Sequence, residues 1–262
     1  MTSQETGHTR RASSFGGSAG AYADHRPDYP QAAVAWALRP LAGRPSGGAA
    51  DDRPHLLDLG AGTGKLTGVL LRTGHRVTAV EPDPQMADEL RRREPGVPVL
   101  AGRGEEIPLP DGSVDAVLIG QAFHWFDPRL ALPEIARVLT QGGVLAGLWN
   151  ADDDRVPWVA GLAEVSGVQV SFTGWPEEPM IPGHPSYTPV ERGTFPHAQR
   201  RTADSLTATL ATHSRFLVLP AEERRRGLER VRDYLGGRPE TACGEFELPL
   251  VTLVERCVIA PG

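Results

Sequence analysis

From Asp58 to Gly64 the chain reads Asp-Leu-Gly-Ala-Gly-Thr-Gly, a carboxylate followed by glycines at 60, 62 and 64. Glycine lets a backbone turn tightly and approach a ligand closely, and a helix opening after such a turn presents free N–H groups. The run therefore predicts a site for an acidic or nucleotide-like molecule. Glu81 follows 21 residues after Gly60, where a carboxylate closing the next strand reaches a ribose diol. Together the two features point to an adenosine-containing ligand. Farther on, His124 can act as a general base, since an imidazole titrates near pH 6.5. Equally, it can bond a backbone carbonyl and only position its loop.

Three ligand classes compete for the glycine turn. A phosphate-binding P-loop needs glycine at 59 and Ser or Thr after Gly64-Lys65, but Leu59 and Leu66 stand there. A dinucleotide fingerprint spaces its glycines G-x-G-x-x-G, whereas here they run G-x-G-x-G. Asp58 would sit badly beside a pyrophosphate and well beside the ammonium of an amino-acid moiety. S-adenosylmethionine has that ammonium and no phosphate. No metal-ligand spacing of His or Cys and no G-x-S-x-G nucleophile elbow occurs, so metal-free chemistry is expected.

These residues need elements to carry them. From His55 to Trp149 short apolar runs alternate with amphipathic segments, the pattern of a parallel sheet with crossover helices. Strands are expected at His55 to Leu59, Arg76 to Val80, Val97 to Ala101, Val114 to Ile119 and Val144 to Leu148. Several are apolar on both faces, as strands covered by helices on both sides must be. Helices are expected after Pro30, over Leu66 to Leu70, after Asp83-Pro84, and from about Leu132, which puts Pro133 in a first turn. Gly142-Gly143 is expected to end that last helix.

The fold expected is thus α/β, a Rossmann-like, doubly wound and mostly parallel sheet with a helical cap inserted after the fifth strand. Residues 1–54 read as a mobile tail and lid helix, 55–150 as the ligand-binding core, 151–240 as the cap, and 241–262 as terminal strands completing the sheet. Within the cap, residues 151–200 show no clear period, while helices are expected at Ala203 to His213 and Ala221 to Leu235. Glu245 to Leu250 and Val251 to Ile259 are read as a strand pair. An insertion after the fifth strand emerges on the ligand face, so Trp158, Phe172, Trp175 and Tyr187, with Trp125, are candidates to line an acceptor pocket.

Composition narrows the partners. A net charge of -6 with 40% hydrophobic and 23% charged residues gives a globular chain without general attraction to nucleic acid or anionic membranes. Two cysteines cannot staple 262 residues. The polar run after Arg10-Arg11 lacks the apolar segment of an export signal, so a cytoplasmic protein is expected.

Asp58 to Gly64, Glu81-Pro82-Asp83, the 102–110 segment ahead of Asp111-Gly112-Ser113-Val114-Asp115, and Ile135-Ala136-Arg137-Val138-Leu139 ahead of Gly142-Gly143 resemble class I S-adenosylmethionine-dependent methyltransferases. The likeness is to the broad type 11 family, which includes quinone-biosynthesis and trans-aconitate methyltransferases. It covers roughly residues 20 to 150, and Gln121 to Asp127 is similar to the trans-aconitate side of it. The resemblance implies that Gly60, Ala61, Gly62 and Gly64, with Asp58, hold the methionine part and Glu81 holds the ribose hydroxyls. Pro82 or Met86 would pack near the adenine. Arg103 stands where many relatives carry Asp, leaving Gly104 backbone or Glu105 to meet the adenine edge. Gln121 and Ala122 would line the cofactor through their backbone, and Tyr22, Arg26 and Tyr29 would close a lid. It further implies methylation of a small-molecule acceptor, on oxygen in preference to carbon or nitrogen, with S-adenosylhomocysteine as product. The rivals are a non-methylating S-adenosylmethionine-binding protein or cyclase on the same fold and, less favoured by the glycine spacing, an NAD-dependent oxidoreductase.

Overall fold

A computed structural model describes residues 27–43, 53–168 and 171–260. Its elements run α1 (Gln31–Leu38), β1 (His55–Leu59), α2 (Lys65–Leu71), β2 (Arg76–Val80), α3 (Pro84–Arg93), β3 (Val99–Leu100), β4 (Val114–Gly120), α4 (Pro128–Val138) and β5 (Leu139–Asp152). Then follow α5 (Pro157–Ser166), β6 (Glu191–Thr202), α6 (Ala203–Ala211), α7 (Ser214–Leu217), α8 (Ala221–Gly236) and β7 (Glu245–Val258). One seven-stranded sheet results, in the order β3-β2-β1-β4-β5-β7-β6. β1 to β5 pair in parallel, and β7 joins β5 and β6 antiparallel. The doubly wound, mostly parallel α/β sheet read from the sequence is present.

Both faces of the parallel strands β1, β2, β4 and β5 are buried, as two-faced apolar strands require. Leu56, Ala116, Leu118 and Leu148 pack under α1 and α2, while Leu57, Val117, Ile119 and Leu145 pack against Leu132 and Ile135 of α4. Asp83 caps α3, its carboxylate accepting from the Gln85 and Met86 amides, with Pro84 in the first turn.

Five expectations need correction. β3 is shorter than Val97 to Ala101, pairing only at Val99 and Leu100. α4 begins at Pro128 behind the Asp127 cap, so Pro133 lies inside the helix. Gly142-Gly143 does not end that helix, which stops at Val138. Those glycines belong to β5, with Gly142 at φ 67° and a register shift against β4 between Val114 and Ala116. Most consequentially, residues 191–202, read as part of an aperiodic cap, form β6. β7 is one continuous strand, and its hydrogen-bonded neighbour is β6 rather than a second terminal strand.

The ribbon of β6 and β7 outruns the parallel strands. β5 ends at Asp152 opposite Leu250, while β7 pairs with β6 back to Glu245. On that overhang sit α5, α6 and α8, enclosing their own apolar core of Trp158, Leu162, Leu206, Leu210, Val231 and Phe246. The cap is therefore helical, but rooted on sheet.

Candidate functional site

β1, β2 and β4 end side by side, and the loops after them enclose a crevice of about 350 Å³, within the roughly 300–1,000 Å³ usual for small-molecule sites. Its position at the carboxyl ends of parallel strands, where the order turns from β1 to β4, is the expected one for an open α/β sheet. Asp58, Gly60, Ala61, Gly62, Glu81, Pro82, Met86, Gln121, Ala122, His124 and Trp125, all singled out from sequence, line it.

The turn after β1 is built from local chemistry. Gly60 has φ 70°, and a Cβ there would stand 2.8 Å from that of Ala122, so only glycine lets this turn pass the end of β4. The Gly60 and Ala61 amides donate to the Val80 carbonyl, which locks the turn against β2. Gly64 is the left-handed cap of α2 and is not on the crevice wall.

Two carboxylates face the crevice in different states. Asp58 is 1% exposed. Its Oδ2 accepts from Thr67 Oγ1 at 2.5 Å, whereas Oδ1 is buried without a hydrogen-bond partner. Burial pushes its pKa up to about 7, against the opposing Thr67 hydrogen bond, with Glu81 adding like-charge repulsion. Glu81 accepts one backbone N–H on each oxygen, from Asp83 at 2.9 Å and Gly62 at 2.8 Å. Burial raises its pKa too, and those two bonds oppose the rise. The Glu81 carboxylate thus ties the glycine turn to the start of α3.

Across the crevice Gln121 has φ 57°, the one non-glycine positive φ among the described residues. Its Nε2 donates to the Asn150 carbonyl at 3.0 Å. Asn150 in turn donates to the Asp28 carbonyl at 3.2 Å and accepts from Thr252 Oγ1. Backbone strain of this kind, costing about 1–3 kcal/mol, persists where the surroundings enforce it and gathers at functional sites. His124 and Trp125 follow on a short 3-10 turn with ring centroids 4.7 Å apart. Trp125 is 40% exposed. Desolvation lowers the pKa of His124, so its imidazole is neutral at pH 7.

Several expected residues lie elsewhere. Gly104 does not line the crevice; the space a Cβ there would fill is taken by the Phe126 ring 2.8 Å away. Glu105 is not there either, its Oε1 accepting from the Asp127 amide at the start of α4. Trp158 packs edge-on against Phe246 inside the cap core. Tyr187 is buried under α4, donating to the Leu132 carbonyl at 2.8 Å. Phe172 and Trp175 pack on each other, with the Arg155 guanidinium over Phe172. None of these four aromatics reaches the crevice wall. Tyr22 and Arg26 lie outside the described residues; Tyr29, from the same stretch, lines the crevice.

Asn150 was not singled out, and Lys65 reads from the sequence as a helix-surface residue. Lys65, the only lysine in the chain, borders the crevice and pairs with Asp28 at 3.1 Å. For Asn150 the available signal was an amide placed where the apolar run of β5 stops. No helix among the described residues is long and apolar enough to cross a membrane.

A methyltransferase-domain family model, Methyltransf_11, matches residues 57–147, the stretch that forms β1 to β5. An uncharacterized methyltransferase of Mycobacterium tuberculosis is 42% identical over 248 residues, covering 94% of this chain and 96% of the relative. The chain belongs to the type 11 family of class I methyltransferases. This methyltransferase is also 35% identical to an uncharacterized methyltransferase-like protein of Schizosaccharomyces pombe over 208 residues, 78% of each chain. Among solved structures, a protein from Anaeromyxobacter dehalogenans assigned as a type II methyltransferase superposes with a TM-score of 0.59 at 25% identity. That match covers 89% of this chain and 97% of the other. Likeness over nearly the full length takes in the β6–β7 ribbon and its helices as well as the glycine turn.

Proposed function

We propose that this methyltransferase binds S-adenosylmethionine in the crevice and methylates a small-molecule acceptor, on a carboxylate or hydroxyl oxygen in preference to carbon or nitrogen. The observation that carries the reading is the orphaned Oδ1 of Asp58, buried on the crevice wall. An unsatisfied buried oxygen is costly, and the ammonium of a methionine moiety is a donor of matching charge. The other residues fit the same group. Glu81 keeps a free lone pair on each oxygen for two ribose hydroxyls, and Pro82 and Met86 offer an apolar wall for adenine.

When bound, S-adenosylmethionine supplies a methyl group already activated on a sulfonium, so the protein's work is alignment and exclusion of water. Gln121, fixed by Asn150, shapes the floor on which the acceptor rests. His124, neutral at pH 7, accepts the proton of an acceptor hydroxyl on a ring nitrogen. Trp125 covers the acceptor side. We place the reaction in the cytoplasm, a reading supported by two free cysteines, Cys243 and Cys257.

Calorimetry with S-adenosylhomocysteine tests the reading. One site per chain is expected, with affinity reduced by about 1.5–3 kcal/mol in Glu81→Ala and no binding of NAD. Absence of binding, or affinity indifferent to Glu81, would overturn it.

A further inference from the structure

A second cavity, about 50 Å³, opens off the crevice and shares Pro27, Gln121 and Asn150 with it. That is room for a carboxylate and the carbon bearing it, since one water needs about 10–15 Å³ on the same measure. The cavity lies beyond the end of β5, on the overhang of the β6–β7 ribbon, where Gln199 pairs with Leu248 and Arg201 with Phe246. Two positions apart on one strand, Gln199 and Arg201 project from the same face, and both line the cavity.

Arg201 is only 5% exposed. Arginine is seldom so buried without paired or hydrogen-bonded surroundings. Its Nη2 donates to Thr209 Oγ1 at 2.8 Å, and that hydroxyl donates to the Ser205 carbonyl at 3.0 Å, fixing the guanidinium against α6. Asp152, also on the wall, attracts the guanidinium, yet desolvation outweighs that attraction and lowers its pKa. The guanidinium is thus a buried, positioned cation on the cavity wall, able to give charge-assisted hydrogen bonds to an anionic ligand. Nearby, Gln199 Oε1 is buried without a hydrogen-bond partner and can take a donor from a ligand.

We propose that this side cavity anchors the methyl acceptor by a carboxylate held on Arg201, with the remainder of the acceptor running past Gln121 and Asn150 to the methyl position. The inference rests on the crevice being the S-adenosylmethionine site. The anchoring carboxylate undergoes no bond change, and a second group of the same acceptor receives the methyl. The substrate class is then a small acid with a nucleophilic group at its other end.

Matched ligands test this without knowledge of the acceptor. Acetate, propionate and butyrate, and the corresponding carboxamides, are titrated into the full chain with and without S-adenosylhomocysteine. Binding is followed by saturation-transfer NMR and by the arginine side-chain N–H resonances. Carboxylates should bind at least about tenfold more tightly than their amides, as a charge-assisted contact requires, and should shift the Arg201 resonance. That preference should vanish in Arg201→Gln and survive in part in Arg201→Lys, with S-adenosylhomocysteine affinity unchanged. Equal binding of acid and amide, no binding of either, or a carboxylate preference kept in folded Arg201→Gln would overturn the proposal. The contrast in the unmodified protein stands even if the variants fail to fold. Loss of S-adenosylhomocysteine binding alone would instead count against the cofactor reading.

Discussion

Replacing Asp58 by Asn separates the cost of burying a carboxylate from its use. In the free protein burial raises the Asp58 pKa from 3.8 to about 7, a displacement worth about 4 kcal/mol at 1.36 kcal/mol per unit. The sign follows from proton counting. Between pH 4 and 7 the folded chain holds this proton while the unfolded chain has released it, so the contribution to stability declines as pH rises and is fully lost above 7. Asp58→Asn keeps the shape and the acceptor for Thr67 but removes the ionisation, so the free protein should gain stability at pH 8, by at most about 4 kcal/mol.

Ligand binding should move the other way. An ammonium beside Oδ1 favours the ionised carboxylate, so affinity for S-adenosylhomocysteine should rise as pH increases toward 7 and level off above it. Below 7 the fall approaches about tenfold per pH unit, as one proton displaced on binding requires. In Asp58→Asn, affinity at pH 8 should drop by about 3 kcal/mol or more, as when one partner of a buried pair is removed, and the pH slope should flatten. Urea unfolding and calorimetry from pH 5 to 8 measure both. Unmodified protein whose affinity is constant over that range would refute the assignment of Asp58 to the ammonium.

Gly60→Ala should destabilise the protein on the order of 2–4 kcal/mol in urea unfolding, because it adds both a left-handed alanine and a contact with Ala122. Tyr187→Phe should cost about 1 kcal/mol of stability through the lost bond to Leu132 and leave acceptor KM unchanged; a changed KM would return Tyr187 to the acceptor pocket. His124→Asn should lower kcat at least about tenfold with cofactor affinity preserved. In unmodified protein kcat should lose activity on the acid side with a midpoint below 6.5, since desolvation lowers this pKa and the base works unprotonated.

What could be read from the sequence was local. The turn at Gly60 to Gly64 needs positive φ within a few residues, Glu81 closes the adjacent strand, and the Asp83-Pro84 cap is written in two neighbouring letters. Parallel strands buried on both faces are apolar throughout, so β1, β2 and β4 announce themselves by composition. α4 misled for a related reason: Pro133 argues for a first turn, yet Asp127-Pro128 supplies a sound start one and a half turns earlier, and the interior proline is tolerated. Gly104 shows the opposite failure. Its neighbourhood marks it for the ligand, but the atom that needs the missing Cβ belongs to Phe126, whose position only the fold supplies.

β6 was illegible because its stability is not its own. Glu-Arg-Gly-Thr-Phe-Pro-His-Ala-Gln-Arg-Arg-Thr carries a proline and few apolar residues, the composition of a loop. It forms a strand because the strongly apolar β7 presents an open edge to it along its whole length, and Pro196 is tolerated at the sheet margin. That long-range pairing carries Gln199 and Arg201 past the end of β5 and makes Trp158 a core residue of the cap instead of a pocket wall. A methyltransferase that reads its cofactor with a local turn and its acceptor with a distant ribbon can keep the first while changing the second. Substitutions along 197–201 should therefore alter acceptor choice with little effect on S-adenosylhomocysteine affinity, because no residue of that stretch borders the cofactor crevice.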